Sequence, residues 1–292
     1  MSAPDEETAI PEQAPNAPAV DDANDLRGFH FKRLMRKTLT LVLIAVFVLA
    51  GGIAGAAFLS PVVGLVIAVA VFVLAVIVVF AIADSKAADD FFSVYAQQRG
   101  MTLGGRTSLP SATPLLRKGD DRYAERTLTG PFAEGLAGTL ALYTYEEEST
   151  DSEGNRQTSY YHYTVGLLEV PECAEAVPEL YCQRKFGFRA LEKFEDVFRR
   201  SKERVKLESE ALDDKYEIFA GKGQDENWLR QLFSPSFIVW LTDEAPKKFA
   251  FELVNGYLCC YISGHKDKAV DLDMVRDAST AVAQRLREEA QE

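Results

Sequence analysis

The residues best suited to bind a metal ion or to act in catalysis are four cysteines and three histidines. Adjacent residues of a strand point to opposite faces of a sheet, so Cys259 and Cys260 are poorly placed to share a metal ion or form a disulfide. Cys173 and Cys182 are nine positions apart, which does not match the ligand spacing of zinc sites. The sequence therefore predicts four reduced structural cysteines, as is usual in the cytoplasm.

The histidines His30, His162 and His265 are far apart in the sequence, and none has a histidine or glutamate at metal-ligand spacing. His162 lies in the segment Tyr160-Tyr161-His162-Tyr163, which is more typical of a sheet surface than of a general base. Spacing alone thus predicts no catalytic residue, no metal site and no cofactor.

One basic segment opposes the net charge of the chain, which is −12. Between Arg184 and Lys206 there are nine basic and four acidic residues. Such a patch on a membrane-tethered domain could contact anionic lipid head groups, at ~1 kcal/mol per basic residue. The alternative is a solvated surface with its own ion pairs. The residues proposed for lipid or partner contact are Arg199, Arg200, Lys202, Arg204 and Lys206.

Acidic residues outnumber basic ones by 44 to 32. Nucleic-acid binding depends on clustered Lys and Arg, so this balance argues against a nucleic-acid partner. The overall composition therefore favours a lipid or protein partner.

Residues 38–83 form an apolar run of 46 positions without a charged residue or histidine. As one helix this run would be ~69 Å long, more than twice the ~30 Å hydrocarbon core of a bilayer. Pro61, near its middle, disfavours helix at the preceding residue. We therefore expect two transmembrane helices, at about 39–59 and 62–83, and no signal peptide.

Orientation in the membrane depends on Lys and Arg near the ends of the helices. The predicted turn at Pro61 has no charge. This pattern predicts a multi-pass protein of the cell membrane with cytoplasmic N- and C-termini. The alternative is a single re-entrant pass with the large domain outside. The basic residues preceding the first helix are Arg27, Lys32, Arg33, Arg36 and Lys37.

The apolar helices carry no polar side chain near the bilayer midplane, which disfavours a channel or transporter. Gly51 and Gly55 have the small-xxx-small spacing that allows another helix to approach closely. Glycines without a specific packing role are the alternative interpretation.

The composition of the rest of the chain indicates an N-terminal tail, a connector and a C-terminal domain. Residues 1–37 are interpreted as a disordered acidic tail with a basic juxtamembrane end, because the first 25 residues contain seven acids and no Lys or Arg. Residues 84–121 are expected to continue the second helix and then form an ordered, Pro- and Gly-rich connector. Residues 122–292 are expected to form a cytoplasmic α+β domain.

The clearest strand signal is Asn255-Gly256, the pair preferred in a two-residue type I′ hairpin. This turn would pair Phe251 with Cys260, bury Cys260 and place Cys259 on the opposite, less apolar face. The predicted fold is α+β, with a mainly antiparallel sheet, helices on one face and a C-terminal amphipathic helix from about Leu272. A half-barrel of the pleckstrin-homology type is the alternative. Strands are predicted at 122–128, 139–146, 158–170, 203–207, 215–220, 249–254 and 257–262, and helices at 188–198 and 226–241, the latter broken at Ser234-Pro235.

Several short motifs accompany this order of elements. They are Leu109-Pro110 with Thr113-Pro114-Leu115-Leu116, Gly138-Thr139-Leu140 with Tyr143-Thr144-Tyr145-Glu146, and the succession Glu208, Tyr216, Phe233-Ser234-Pro235-Ser236-Phe237 and Trp240-Leu241. In these motifs the chain resembles a family of uncharacterised bacterial membrane proteins with two helices and a C-terminal domain of unknown function. The resemblance implies an architecture but no catalytic residues.

Together these patterns favour a membrane-anchored, non-enzymatic binding or scaffolding protein. Its expected partners are the lipid bilayer and either a protein or anionic lipid head groups. The alternative is a membrane-surface enzyme of unidentified reaction. A cleft joining His162 or Cys259 to a carboxylate with a perturbed pKa would favour the enzyme.

Overall fold

The computed structural model describes residues 22–36, 38–58, 60–151, 154–185 and 202–291. The chain divides into two compact units, Met1–Val94 and Tyr95–Glu292. The predicted disorder of residues 1–21 and the predicted helix at 188–198 lie outside the described residues.

The first unit is helical. It contains α1 (Ala23–Met35), α2 (Thr38–Phe58) and most of α3 (Pro61–Gln98). Both α2 and α3 are long and apolar enough to cross a membrane, and only 11% and 6% of their most apolar windows are buried. Continuous apolar surface of this kind marks an interaction site rather than a face exposed to water. The two predicted helices and the continuation of the second beyond Ala83 are confirmed, and the apolar surface of both helices suits a membrane.

Glycines bring the backbones of α2 and α3 together. A Cβ atom at Gly64 would lie 2.6 Å from both the Ala56 amide nitrogen and the Gly52 carbonyl oxygen. At Gly55, it would lie 2.9 Å from the Gly64 Cα. Gly51 also faces α3, in ordinary contact with its side chains. Small residues on both helices thus allow the close backbone approach that stabilises helix pairs in lipid.

The described charged groups of the first unit lie outside its apolar helical segments. Arg27 of α1 forms an ion pair with Asp84 of α3, and His30 Nε2 lies 2.8 Å from Asp90 Oδ2. Residues 23–35, which were predicted to belong to the disordered tail, instead form a helix that contacts the polar continuation of α3. The basic residues Arg27, Lys32, Arg33 and Arg36 lie in this helix or just after it, whereas Lys37 is outside the described residues.

In its described residues, the second unit is built on one sheet of nine antiparallel strands, in the order β1-β2-β3-β4-β9-β8-β5-β7-β6. The predicted α+β class is confirmed. The strands are β1 Thr102–Gly104, β2 Asp121–Ala133, β3 Leu136–Thr150, β4 Arg156–Glu169, β5 Glu179–Arg184, β6 Lys202–Val205, β7 Tyr216–Gly221, β8 Ala250–Val254 and β9 Tyr257–Ser263. The helices are α4 Glu210–Lys215, α5 Glu226–Leu232, α6 Pro235–Val239 and α7 Ala269–Gln291.

The hairpin between β8 and β9 has the register that its turn requires. Asn255 and Gly256 both have positive φ, 47° and 79°, as a type I′ turn demands. Phe251 pairs with Cys260, and Val254 with Tyr257. The predicted register is confirmed, as is the helix break at Ser234-Pro235, which separates α5 from α6.

The C-terminal helix α7 covers one face of the sheet. Its contact with β4 is close, because a Cβ atom at Gly166 would lie 2.3 Å from Ser279 Oγ. The predicted apolar stripe is buried throughout, which confirms an amphipathic helix packed on the sheet. The stripe comprises Leu272, Val275, Ser279, Val282 and Leu286.

The opposite face of the sheet is covered by the connector that precedes β2. Leu115 and Leu116, in a single 3₁₀ turn, are buried in a cluster of tyrosines and small apolar residues that includes Cys259. Cys259 and Cys260 are both 0% exposed. The expectation that Cys259 faces a less buried surface is therefore wrong, because the connector provides a second apolar layer where a one-sided sheet had been assumed.

Because both faces are buried, a charged substitution at either of the two adjacent cysteines should destabilise the fold to a similar extent. Cys259→Asp and Cys260→Asp should each lower the free energy of unfolding by about 3 to 5 kcal/mol, because each leaves an uncompensated buried charge. Thermal unfolding of the purified full chain measures both. Gln157→Asp, at an exposed strand position, is the matched control and should change little. Destabilisation by Cys260→Asp alone would contradict a buried second face.

Candidate functional site

Three side chains with metal-binding or acid–base potential meet on the face of the sheet that α7 covers. They are Glu125 on β2, His162 on β4 and His265 in the loop after β9, and one potential ligand atom from each lies within 4.8 Å of the others. His162 shares its face with Gly166, which contacts α7, because residues two and four apart on a strand point the same way. The two histidine ring centroids are 4.7 Å apart.

A β-bulge places Glu125 in this cluster. Ala124 pairs with Tyr143 and Arg126 with Leu142, so that Glu125 is the extra residue of β2. A bulge of this kind puts two successive residues on one side of the strand. Glu125 therefore points to the same face as Thr144, although strict alternation from Thr127 would place it on the other face.

Thr144 is the hydroxyl at the centre of the cluster and is 0% exposed. Its Oγ1 lies 3.0 Å from His162 Nδ1 and 3.2 Å from His265 Nε2. The same hydroxyl donates to Glu125 Oε1 at 3.5 Å. A hydroxyl has one proton and two lone pairs, so Thr144 can donate to the carboxylate and accept from both imidazoles.

The backbone determines which nitrogen of His265 carries the proton. Nε2 lies 3.1 Å from the carbonyl oxygen of Tyr143, which can only accept, so Nε2 is the protonated nitrogen. Nδ1 lies 3.7 Å from Glu125 Oε2. Burial lowers the pKa of His265, although Glu125 and the Tyr143 carbonyl act in the opposite direction. In this tautomer the Nδ1 lone pair faces the Glu125 carboxylate.

In this arrangement two imidazoles and one carboxylate lie together where solvent can reach them. The Glu125 and His162 side chains are exposed and His265 is partly buried. Within the described residues, the donor set is one that could hold a metal ion with an open coordination position. Sequence spacing missed it because its members come from three separate elements and one of them depends on a bulge.

A second group with a perturbed pKa, Glu252 of β8, lies on the opposite face of the sheet and is 0% exposed. Burial raises the pKa of its carboxyl group, while the bond from the Leu115 amide and the charge of Lys118 oppose the rise. Its Oε2 accepts from the Leu115 amide at 2.9 Å, and its Oε1 accepts from the Tyr261 hydroxyl at 3.3 Å. Glu252 thus attaches the connector to the sheet.

The cysteines offer no nucleophile. All four are free and buried. Burial raises the pKa of Cys173 to about 12 and also raises the pKa of Cys182, Cys259 and Cys260. A thiol in such surroundings is protonated and unreactive at neutral pH. Cys259 lies on the same face as Glu252, its strand partner, but both are enclosed in the core.

The described part of the predicted basic segment has ion pairs within the sheet. Lys202 pairs with Glu179, and Arg204 Nη2 lies 3.5 Å from Glu217 Oε1. Arg204 and Lys206 also line a groove of ≈ 300 Å³. Arg199 and Arg200 lie outside the described residues, so contact of the segment with lipid stays a prediction.

The fold defines an α+β protein with a nine-stranded antiparallel sheet and two apolar helices suited to a membrane. No protein-family model and no curated protein matches the chain. Among solved structures, the crystal structure of the mycobacterial trehalose monomycolate transport factor A, TtfA, is similar with a TM-score of 0.42 and 9% identity, over 67% of this chain and 90% of that one. The resemblance to the bacterial two-helix family stays a prediction.

The role of Glu252 gives a test of pH dependence. Because its folded-state pKa is raised, its contribution to stability is present below the unfolded-state pKa and is lost as the pH rises through the folded-state value. Glu252→Gln removes this titration and keeps an acceptor oxygen for Leu115. The free energy of unfolding of Glu252→Gln, relative to that of the wild-type chain, should therefore increase as the pH rises.

Thermal unfolding of the full chain between pH 5 and 8 measures this difference. Glu252→Leu is the control, because it leaves the buried Leu115 amide without an acceptor and should cost about 1 to 3 kcal/mol. A stability difference between Glu252→Gln and wild type that does not change with pH would contradict the assignment.

Proposed function

We propose that the chain is a membrane-anchored, non-enzymatic binding protein in which a helical hairpin tethers a cytoplasmic α+β unit. The observation that carries this proposal is the hairpin itself. Gly64 packs against Gly52 and Ala56, so α2 and α3 run side by side in opposite directions. Large apolar side chains remain exposed on both helices, such as Phe47 at 63% and Val62 at 72%.

The charge distribution supports a cytoplasmic location for both termini. The antiparallel arrangement brings the start of α2 to the end of the apolar part of α3, and the Arg27–Asp84 ion pair lies at that end. Among the described residues of the first unit, Lys and Arg occur only before α2 or after Ala83. Loops rich in Lys and Arg stay in the cytoplasm, so the turn at Pro61 would face the other side.

The surroundings of the ionisable groups support binding rather than catalysis. The carboxylate whose pKa burial raises, Glu252, is enclosed and bonded to the connector. His162 lies beside Glu125, whose side chain is 44% exposed to solvent. A cleft that joined His162 or Cys259 to a carboxylate with a perturbed pKa would favour an enzyme. The partner of a binding protein would instead meet an exposed surface, such as the one that carries Glu125 and His162. A membrane-surface enzyme is the alternative.

Thiol labelling in intact cells tests the hairpin and its orientation. The native cysteines are buried, so the wild-type chain should give little background. Cysteines introduced by Ser2→Cys or Gln291→Cys should resist an impermeant reagent until the cells are permeabilised. Ser60→Cys, beside the turn, is the matched control and should react without permeabilisation. Labelling of either terminal cysteine in intact cells would refute the topology.

A further inference from the structure

We propose that Glu125, His162 and His265 bind a divalent transition-metal ion, with Zn²⁺ as the reference ion. Two imidazole nitrogens and one carboxylate oxygen suit zinc and its neighbours in the first transition series. Ca²⁺ and Mg²⁺ prefer shells made of oxygen atoms. The inference does not depend on the proposed membrane topology or on the absence of enzymatic activity.

The hydrogen bonds of the cluster identify the ligand atoms. His265 Nε2 is the donor to the Tyr143 carbonyl at 3.1 Å, so its Nδ1 has the free lone pair and lies 3.7 Å from Glu125 Oε2. His162 Nδ1 is 3.0 Å from the Thr144 hydroxyl, so its Nε2 is left for coordination. A cation between His265 Nδ1 and Glu125 Oε2 could bind both of these atoms.

The outer contacts are those that a metal site needs. A metal-binding histidine usually donates its second ring N–H to a carbonyl, carboxylate or hydroxyl, and this bond holds the ring in place. Here the Tyr143 carbonyl serves His265, and Thr144 serves His162. Thr144 also donates to Glu125 and lies 3.2 Å from His265 Nε2, so a single buried hydroxyl contacts all three ligands.

The three side chains are close enough to reach a common ion. With metal–ligand bonds of about 2.1 Å, the ligand atoms of a tetrahedral ion lie about 3.4 Å apart. One potential ligand atom from each of the three residues lies within 4.8 Å of the other two. The Glu125 side chain is 44% exposed and can rotate toward the imidazoles without disturbing the core. Three protein ligands would leave at least one position for water or for a group of a partner.

Metal titration of the full chain tests the site. The protein is purified in detergent without a histidine tag, treated with a chelator and titrated with Co²⁺, whose visible absorption reports tetrahedral nitrogen and oxygen ligands. Zn²⁺ is then added in competition. We expect one ion per chain, displaced by Zn²⁺, and a loss of affinity of about 10-fold to 100-fold or more in His162→Gln, His265→Gln and Glu125→Gln.

Two further variants make the result decisive. His30→Ala removes the one histidine outside the cluster and should leave the titration unchanged. Thr144→Val keeps all three ligands but removes the hydroxyl that orients them, and should weaken binding by about 10-fold to 100-fold. Circular dichroism of the metal-free variants checks folding, and the exposed position of His162 keeps at least one ligand variant interpretable.

Two results would overturn the proposal. The first is the absence of Co²⁺ or Zn²⁺ binding by the wild-type chain at micromolar concentrations. The second is binding that persists unchanged in the folded His162→Gln variant, or that disappears in His30→Ala.

Discussion

The buried carboxylate of Glu252 is the interaction on which the second unit depends. The central strands β8 and β9 are largely buried on both faces, but α7 covers only one of them. The other face is closed by the connector, whose Leu115 is held by Glu252 through its amide and by Tyr143 through its carbonyl, at 2.9 and 3.1 Å. Burying a carboxyl group is costly unless its oxygens are hydrogen-bonded. The connector supplies such a bond and is fixed in return.

The ionisable groups that hold the core together are different from those that a ligand could reach. The cysteines and Glu252 have raised pKa values, and all of them are enclosed. The imidazoles of His162 and His265 lie instead near the edge of the helix-covered face, with Glu125. A bulge and one buried hydroxyl hold these three side chains together. Among the described residues, the cluster of Glu125, His162 and His265 is therefore accessible to a ligand, whereas the cysteines and Glu252 are not.

Features that depend on residues close together in the sequence could be predicted, whereas features that depend on contacts between distant residues could not. The apolar run at 38–83 and the Asn255-Gly256 turn are local signals, and both the helix pair and the β8–β9 register followed from them. Burial of Cys259 could not be predicted, because it requires the connector to return over a strand more than 130 residues away along the chain. Glu125 was missed because strict alternation hides a bulge, and His265 because it joins the cluster only through the loop after β9.

Hydrogen–deuterium exchange across the connector tests the central claim most directly. In the wild-type chain, peptides covering 109–117 should exchange as slowly as those of the sheet, because the Leu115 amide is bonded to a buried carboxylate. In Glu252→Leu the same peptides should exchange at the rate of an exposed loop, while those of β2 and β3 stay protected. Rapid exchange of 109–117 in the wild-type chain, or slow exchange unchanged in Glu252→Leu, would contradict the claim that this carboxylate holds the second layer of the core.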